Sequence, residues 1–365
     1  MKFKLKKEVI LDNLQKVLGP TTTKQNFPIL NSVLVSTEKN KIKFTATDLD
    51  VTIISFQEAE IEEQGILAIP MKRFFSIIKE LPSGDIMLET AKNNLLISCE
   101  KVEFKINTLS AEEFPKIEEP KENALIKLNP GDLEEMIRMT SFSVGYEDVN
   151  YVLNGILFEI EKDTIRLVST DGKRLAFVER KLPVSQTEVT KKVQFILPIK
   201  AVSELHKLIK ERNDDLYLFA EENKVGFDFK DTQFVARPIE GEFPNYSQYI
   251  PKPGKDKLTI NRKDFLLALR RAALLATPDY QGVKVDIKKE KAIISKSTPQ
   301  LGEVKEEILA QFSGAPTSVG FNPAYLLDVL KNVEEEEATF EFFGADKPVV
   351  LRKENYVYLV LPMKI

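Results

Sequence analysis

Three prolines, Pro70, Pro198 and Pro323, punctuate the stretches LAIPMKRFFSIIKELP, FILPIKAVSELHKLIKE and SVGFNPAYLLDVLKNVE, and they lie 128 and 125 residues apart. In each stretch a strand-like run meets the proline, and apolar residues then recur at spacings of three and four. Each therefore reads as strand, proline, helix. Proline suits that boundary because the first helical turn has no use for the N–H it lacks. A unit recurring in order over so long a period makes the chain a series of modules.

Two further elements repeat with the same period. FKLKKEVILDNLQKVLG from Phe3, LIKLNPGDLEEMIRMTSF from Leu125 and LTINRKDFLLALRRAALLA from Leu258 each read as a short strand feeding an amphipathic helix. Glu8, Asp132 and Asp264 fall in or near the first turns, where a carboxylate meets the positive end of the helix dipole. Each copy closes on a third element: KINTLSAEEFPKI, VARPIEGEFPNYSQYIP or VYLVLPMKI. The apolar ending YVYLVLPMKI is thereby explained, because a closing strand is pinned by its sheet while a loose terminus would be polar. Alternating runs such as KIKFTATDLDVTI and TIRLVSTDGKRLAFVER have the period of half-buried strands. Each copy is thus an α+β unit of two helices packed on antiparallel sheet. The polar, proline-bearing joints IEEPKEN and IPKPGKDK set domains at 1–121, 122–250 and 251–365.

Composition narrows the chemistry. One histidine and one cysteine leave triads, zinc clusters and imidazole proton shuttles without parts. His206 flanks the apolar face of its helix, and Cys99 in LLISC reads as a small core residue. No GxGxxG or GxxxxGK pattern occurs, so the usual phosphate-cradling loops are missing. A non-catalytic protein with no cofactor and no metal is expected. No apolar run approaches the roughly 20 residues of a membrane span, which places the chain in the cytoplasm.

Copies that pack alike turn by a constant angle, and head-to-tail contacts of that kind close into a ring or run on as a filament. Two chains of three copies would bring twelve helices. At about 9 Å between axes these enclose a hole of about 35 Å, wider than a B-DNA duplex of roughly 20 Å. Charge favours helices inside: segments 7–18, 72–80, 131–140, 199–212, 262–276 and 323–332 hold 15 Lys and Arg against 10 Asp and Glu. With a net charge of −4 overall, the remainder of the chain is left at −9. The later turns carry Lys16, Lys79, Arg138, Lys207, Lys210, Arg212, Arg270, Arg271 and Lys331. Such a wall attracts phosphates without reading bases. A non-enclosing scaffold for peptide-bearing partners is the competing reading, and it would sediment as a monomer.

MKFKLKKEVILDNLQKVLGPTTTKQNFPILNSVLV, TATDLD, YVLNGILFE, STDGKRLA, GEFPNYSQYIP, SGAPTSVGFNPAYLLDVL and YVYLVLPMKI resemble the bacterial sliding-clamp family, the beta subunits of DNA polymerase III, in order from Met1 to Ile365. The resemblance implies three clamp-type domains forming half of a closed ring, and a head-to-tail homodimer around duplex DNA. It also implies a clamp loader, the replicative polymerase alpha subunit and other peptide-motif proteins of replication and repair as partners. Carried over by position, the partner-peptide groove comprises Leu153, Thr170, Gly172, Lys173, Arg174, Leu175, Pro244, Gln248, Tyr249, Leu359, Leu361, Pro362 and Met363. Leu175 and Leu361 would form its floor, Met363 a deformable lid, and Arg174 or Lys173 would meet polar groups of the peptide. DNA contacts fall to Lys24, Arg73, Tyr151 and Lys200, and the dimer interface to Phe104, Ile106, Leu274 and Leu275 with Lys72, Glu306 and Glu307 as charged neighbours.

Overall fold

The computed structural model describes residues 1–22, 27–117, 125–146, 149–184, 189–210, 212–299 and 301–364. The first copy runs β1 (Lys2–Lys6), α1 (Lys7–Val17), β2 (Ser32–Glu38), β3 (Lys41–Thr47), β4 (Val51–Glu58), β5 (Ile61–Glu63), β6 (Ile66–Pro70), α2 (Met71–Glu80), β7 (Asp85–Ala91), β8 (Asn94–Cys99) and β9 (Val102–Asn107). The second runs β10 (Ile126–Leu128), α3 (Pro130–Thr140), β11 (Gly155–Lys162), β12 (Thr164–Thr170), β13 (Arg174–Lys181), β14 (Val189–Pro198), α4 (Ile199–Ile209), β15 (Leu216–Ala220), β16 (Val225–Phe229) and β17 (Thr232–Ala236). The third runs β18 (Asp256–Asn261), α5 (Arg262–Ala273), β19 (Val283–Ile287), β20 (Lys291–Thr298), β21 (Gly302–Phe312), β22 (Thr317–Phe321), α6 (Pro323–Asn332), β23 (Glu337–Phe342), β24 (Val349–Lys353) and β25 (Tyr356–Val360). Apart from the short β5, the three copies share one element order, as the repeats predict.

Two compact units emerge. One comprises Met1–Gly131, Pro183–Gln186 and Ser203–Pro238; the other comprises Asp132–Leu182, Thr187–Val202 and Ile239–Ile365. The first holds a sheet of order β5-β1-β7-β8-β9 and another of order β10-β15-β16-β17-β4-β3-β2-β6. The second is built on one long sheet, β14-β11-β12-β13-β25-β24-β23-β18-β21-β20-β19-β22. All pairings between named strands are antiparallel, and two of them join successive copies: β17 with β4, and β25 with β13. The closing strand of one copy thus completes the sheet of the copy before it. Local periodicity could not reveal this, because the partners are far apart in sequence.

The helices bury the residues their spacing marks. On α1 these are Ile10, Leu14 and Val17, together with Asn13, whose amide donates to Val9 O and accepts from Ser55 Oγ at 2.7 Å. That buried amide is satisfied rather than stranded. Asn261 and Asn322 cap α5 and α6 by accepting backbone N–H groups from Asp264 and Ala324. Pro323 is the first residue of its helix, whereas Pro70 and Pro198 end their strands one residue earlier, opposite Ser32 and Gly155. Two predicted helices are shorter than expected. α4 stops at Ile209, leaving Lys210 and Arg212 beyond it, and α5 stops at Ala273. Leu274, Leu275 and Ala276 close tight turns instead, and Pro278 forbids a continuation. Cys99 is buried, with its thiol toward Pro82 O.

Candidate partner groove and helix faces

The β13–β25 ladder sets Leu175 opposite Leu359 and Arg174 opposite Val360. Leu153, from the tight turn at Tyr151–Asn154, joins both in one apolar cluster with Val152, Leu157, Val168, Ile196, Phe243, Val350 and Val357. Burying a leucine side chain is worth about 2 kcal/mol, so this cluster secures the second joint. Three predicted groove residues, Leu153, Leu175 and Leu359, therefore sit together.

The segment after Ile239 forms a flank. Phe243 is buried, Pro244 is half-buried, and Gln248 and Tyr249 are exposed. Its anchor is Tyr246, whose hydroxyl donates to Glu159 Oε2 at 2.5 Å, while Lys192 holds the other carboxylate oxygen at 2.7 Å. Burial, then the bond to Glu159, pushes the Tyr246 hydroxyl well above the ordinary tyrosine range. Nothing in the sequence singles out Glu159, a glutamate in the strand run GILFEIEK.

Beyond β25 the tail is held at two points. Leu361 N donates to Lys173 O and Met363 N donates to Gly320 O, both at 2.9 Å. Pro362, between them, has no N–H to leave unpaired. Leu361 is 39% exposed beside a buried cluster, an apolar side chain open to solvent. Met363 lies toward β22, where a methyl placed on Gly282 would come within 3.1 Å of its sulfur.

Arg174 differs from expectation. Its side chain is only 11% exposed, with Nε donating to Asp171 at 3.0 Å and Nη1 to Asp328 at 2.6 Å. The guanidinium also lies 4.4 Å from the Tyr325 ring centre. Burial works against its charge, but the Asp328 hydrogen bond and neighbouring acids keep its pKa above the ordinary arginine value. Arg174 thus links β13 to α6, while Lys173 is exposed. Asp171 also accepts from the N–H groups of Lys173 and Arg174, around a turn in which Gly172 takes φ +77°. Thr170 Oγ1 completes the turn by accepting from Gly172 N and donating to Arg174 O.

Of the predicted DNA contacts, Lys24 lies outside the described residues. Arg73 is exposed near the start of α2, Tyr151 is 57% exposed, and Lys200 is half-buried and engaged. Many of the cations that the sequence assigns to helices are paired within the chain: Lys16 with Asp12 and Asp231, Arg138 with Glu334, Lys207 with Glu204, Arg212 with Asp231, Arg271 with Glu306. Lys72, Arg73, Lys79, Lys210 and Arg270 are exposed without an ion-pair partner among the described residues. Of the predicted interface residues, Phe104 and Leu274 are 39% and 80% exposed, Leu275 is half-buried and Ile106 is buried. Glu306 and Glu307 are engaged by Arg271 and Lys291. Among the described residues no three His, Cys, Asp or Glu side chains are grouped to hold a metal, and no helix is long and apolar enough to cross a membrane.

Family models described as the N-terminal, central and C-terminal domains of the DNA polymerase III beta subunit match residues 1–118, 127–245 and 247–364. The beta sliding clamps of Pseudomonas putida and Bacillus subtilis are each 30% identical to this chain, over 371 and 379 residues and the whole of both chains. Among solved structures, the DNA polymerase sliding clamp of Pseudomonas aeruginosa aligns with TM-score 0.93 at 28% identity over all of both chains. A sliding clamp of Bartonella birtlesii bound to griselimycin aligns with TM-score 0.95 at 28% identity, again over all of both. Three successive clamp domains, matched in order and across the full length of these relatives, make the chain a member of the sliding-clamp family, the processivity-factor beta subunits of DNA polymerase III.

Proposed function

We propose that this protein works as a head-to-tail homodimeric ring that encloses duplex DNA, slides on it without reading sequence, and catalyses nothing itself. In this reading it acts in the cytoplasm, is opened by a clamp loader, and tethers the replicative polymerase alpha subunit and other motif-bearing proteins. Those partners dock as short peptides in the groove of Leu153, Leu175, Leu359 and Leu361, with Lys173 and Tyr249 at its rim. The domains divide at 121/122 and 250/251.

The observation that carries the ring is the account of strand edges. β9, β17 and β25 hold the same place in the three copies, as do β4, β13 and β21. β17 pairs with β4 and β25 with β13. Among the described residues, this leaves one side of β9 open, and one side of β21 before Ala310. Open edges invite pairing, and a second chain offers the missing partner at each. Two registers set the pattern: Ala236 faces Val51 and Val360 faces Arg174. Carried to β9 and β21, they place Phe104 opposite Val304, Lys105 opposite Glu303 and Glu103 opposite Lys305. Opposite charges then face each other along the seam, while Ile106, Leu274 and Leu275 add apolar area and Lys72 borders it.

DNA retention in such a ring is topological. Phosphate contacts from Lys24, Arg73, Tyr151 and Lys200 would be weak, salt-screened and compatible with sliding. The test is retention after loading onto a nicked circle. The ring reading expects the protein to stay until the circle is linearised and then to be lost, and equal retention on both forms would reject it.

A further inference from the structure

β20 carries a buried lysine that neither the groove nor the helix faces use. Lys296 is 7% exposed, and its Nζ donates to Tyr280 O and Gly282 O, each at 2.7 Å. No described carboxylate pairs with it, and burial holds its pKa below the ordinary lysine range. A methionine there would avoid the desolvation that an ammonium suffers. What the lysine provides is a donor for Gly282 O and a second donor for Tyr280 O, which also accepts from Thr277 N. Two residues along the same face of β20, Thr298 Oγ1 donates to Leu275 O at 2.5 Å. Thr277 and Tyr280 exchange backbone hydrogen bonds within the loop itself. At Gly282 the three atoms nearest an added methyl all belong to Met363, at 3.1 to 3.5 Å.

We propose that Lys296 is a positioning residue for the partner groove: it fixes loop 277–282, and that loop seats Met363 and so sets the course of the tail that carries Leu361. The inference rests on the groove reading above and adds to it a buried support on another strand. Met363 N is also held by Gly320 O on β22, so Met363 itself has one backbone tether and one packing surface. Lys296 governs the second.

The probe is griselimycin, with which relatives' clamps have been crystallised, and the readouts are its affinity and the Met363 methyl signal in a spectrum of methyl-labelled methionines. Lys296→Met should weaken binding about tenfold and shift the Met363 signal, with the assembled protein's mass unchanged. Lys296→Arg, which keeps two donors, should restore affinity to within about threefold of the parent protein. Gly282→Val leaves the lysine in place, puts a side chain where Met363 lies, and should weaken binding about as much. Lys296→Met with parental affinity and an unmoved Met363 signal would overturn the inference. If that variant does not fold, Gly282→Val decides: lost affinity supports the inference, and unchanged affinity overturns it. Removing residues 361–365 tests the groove reading separately. Should griselimycin still bind without them, the groove reading fails, and the Met363 signal in Lys296→Met still decides what Lys296 holds.

Discussion

The joint between the first and second copies and the joint between the second and third are built on the same backbone. At the first, Thr47 accepts from Leu49 N and Asp48 accepts from the N–H groups of Asp50 and Val51. At the second, Thr170 and Asp171 do the same for Gly172, Lys173 and Arg174. The residue after each closing strand, Arg237 or Leu361, donates to the turn at 2.9 Å, through Asp50 O or Lys173 O. The side chains differ. Where the second joint sets Leu175 against Leu359, the first sets Thr52 against Val235, and where the second exposes Leu361 the first exposes Arg237. The first joint is reinforced by charge, with Asp231 accepting from Lys16 and Arg212 at 2.8 Å each. The same ladder thus carries different side chains at its two joints, a threonine and an exposed arginine in one, two leucines and an exposed leucine in the other, and the proposed peptide site would follow from that choice.

The contrast is broken most severely by deleting residues 361–365. Griselimycin affinity should fall by at least about a hundredfold, as expected when an anchor and its surroundings go together, while sedimentation still reports a dimer. Unchanged affinity would mean that the recess is not the binding site. Next in size is Asp328→Asn at the second joint. It leaves Arg174 buried with half its counter-charge, and urea unfolding should show a loss of about 3 kcal/mol. Asp328→Glu should recover much of that.

At the first joint the charge cluster is more exposed, and its effect should be smaller and depend on pH. Burial would raise the Asp231 pKa, yet hydrogen bonds from Lys16, Arg212 and Thr232 hold it well below the ordinary carboxylate range. A depressed folded-state pKa contributes stability that is present above the unfolded value of about 4 and is lost as pH falls below it. Asp231→Asn should therefore cost less than about 1 kcal/mol at pH 7. The cost should shrink progressively as the solution is acidified below about pH 4, and a cost independent of pH would refute the electrostatic account. The smallest difference lies in the turns. Leu49 holds φ +78° where Gly172 holds +77°. Gly172→Leu should destabilise by about 1 kcal/mol, and Leu49→Gly should be close to neutral, since relief of strain is offset by the freedom glycine gives the unfolded chain.

Much of this organisation was legible in the sequence, because apolar spacing and proline placement are local. All six α-helices among the described residues and the closing strands follow from them, and so does the burial of Leu14 and Leu269. The proposed groove residues came through resemblance, and of them Leu153, Leu175 and Leu359 share one apolar cluster. What escaped depends on partners remote in sequence. Arg174 reads as a ligand contact until Asp328, 154 residues away, is seen to occupy it. The helix ends at Ile209 and Ala273 were misread because the basic and apolar residues that follow continue the pattern after the backbone has left the helix. Glu159 and Lys296 gave no signal, since a polar residue on a half-buried strand is expected to face water.

The central claim is that each closing strand completes the preceding copy, so that β9 and β21 are left for a second chain. The most direct test places cysteines at Phe104 and Val304, which the extended register sets face to face, and joins them with a short bismaleimide. The claim predicts one crosslinked product of two chains that stays on closed circular DNA. A ladder of longer polymers, or crosslinking within single chains, would contradict it.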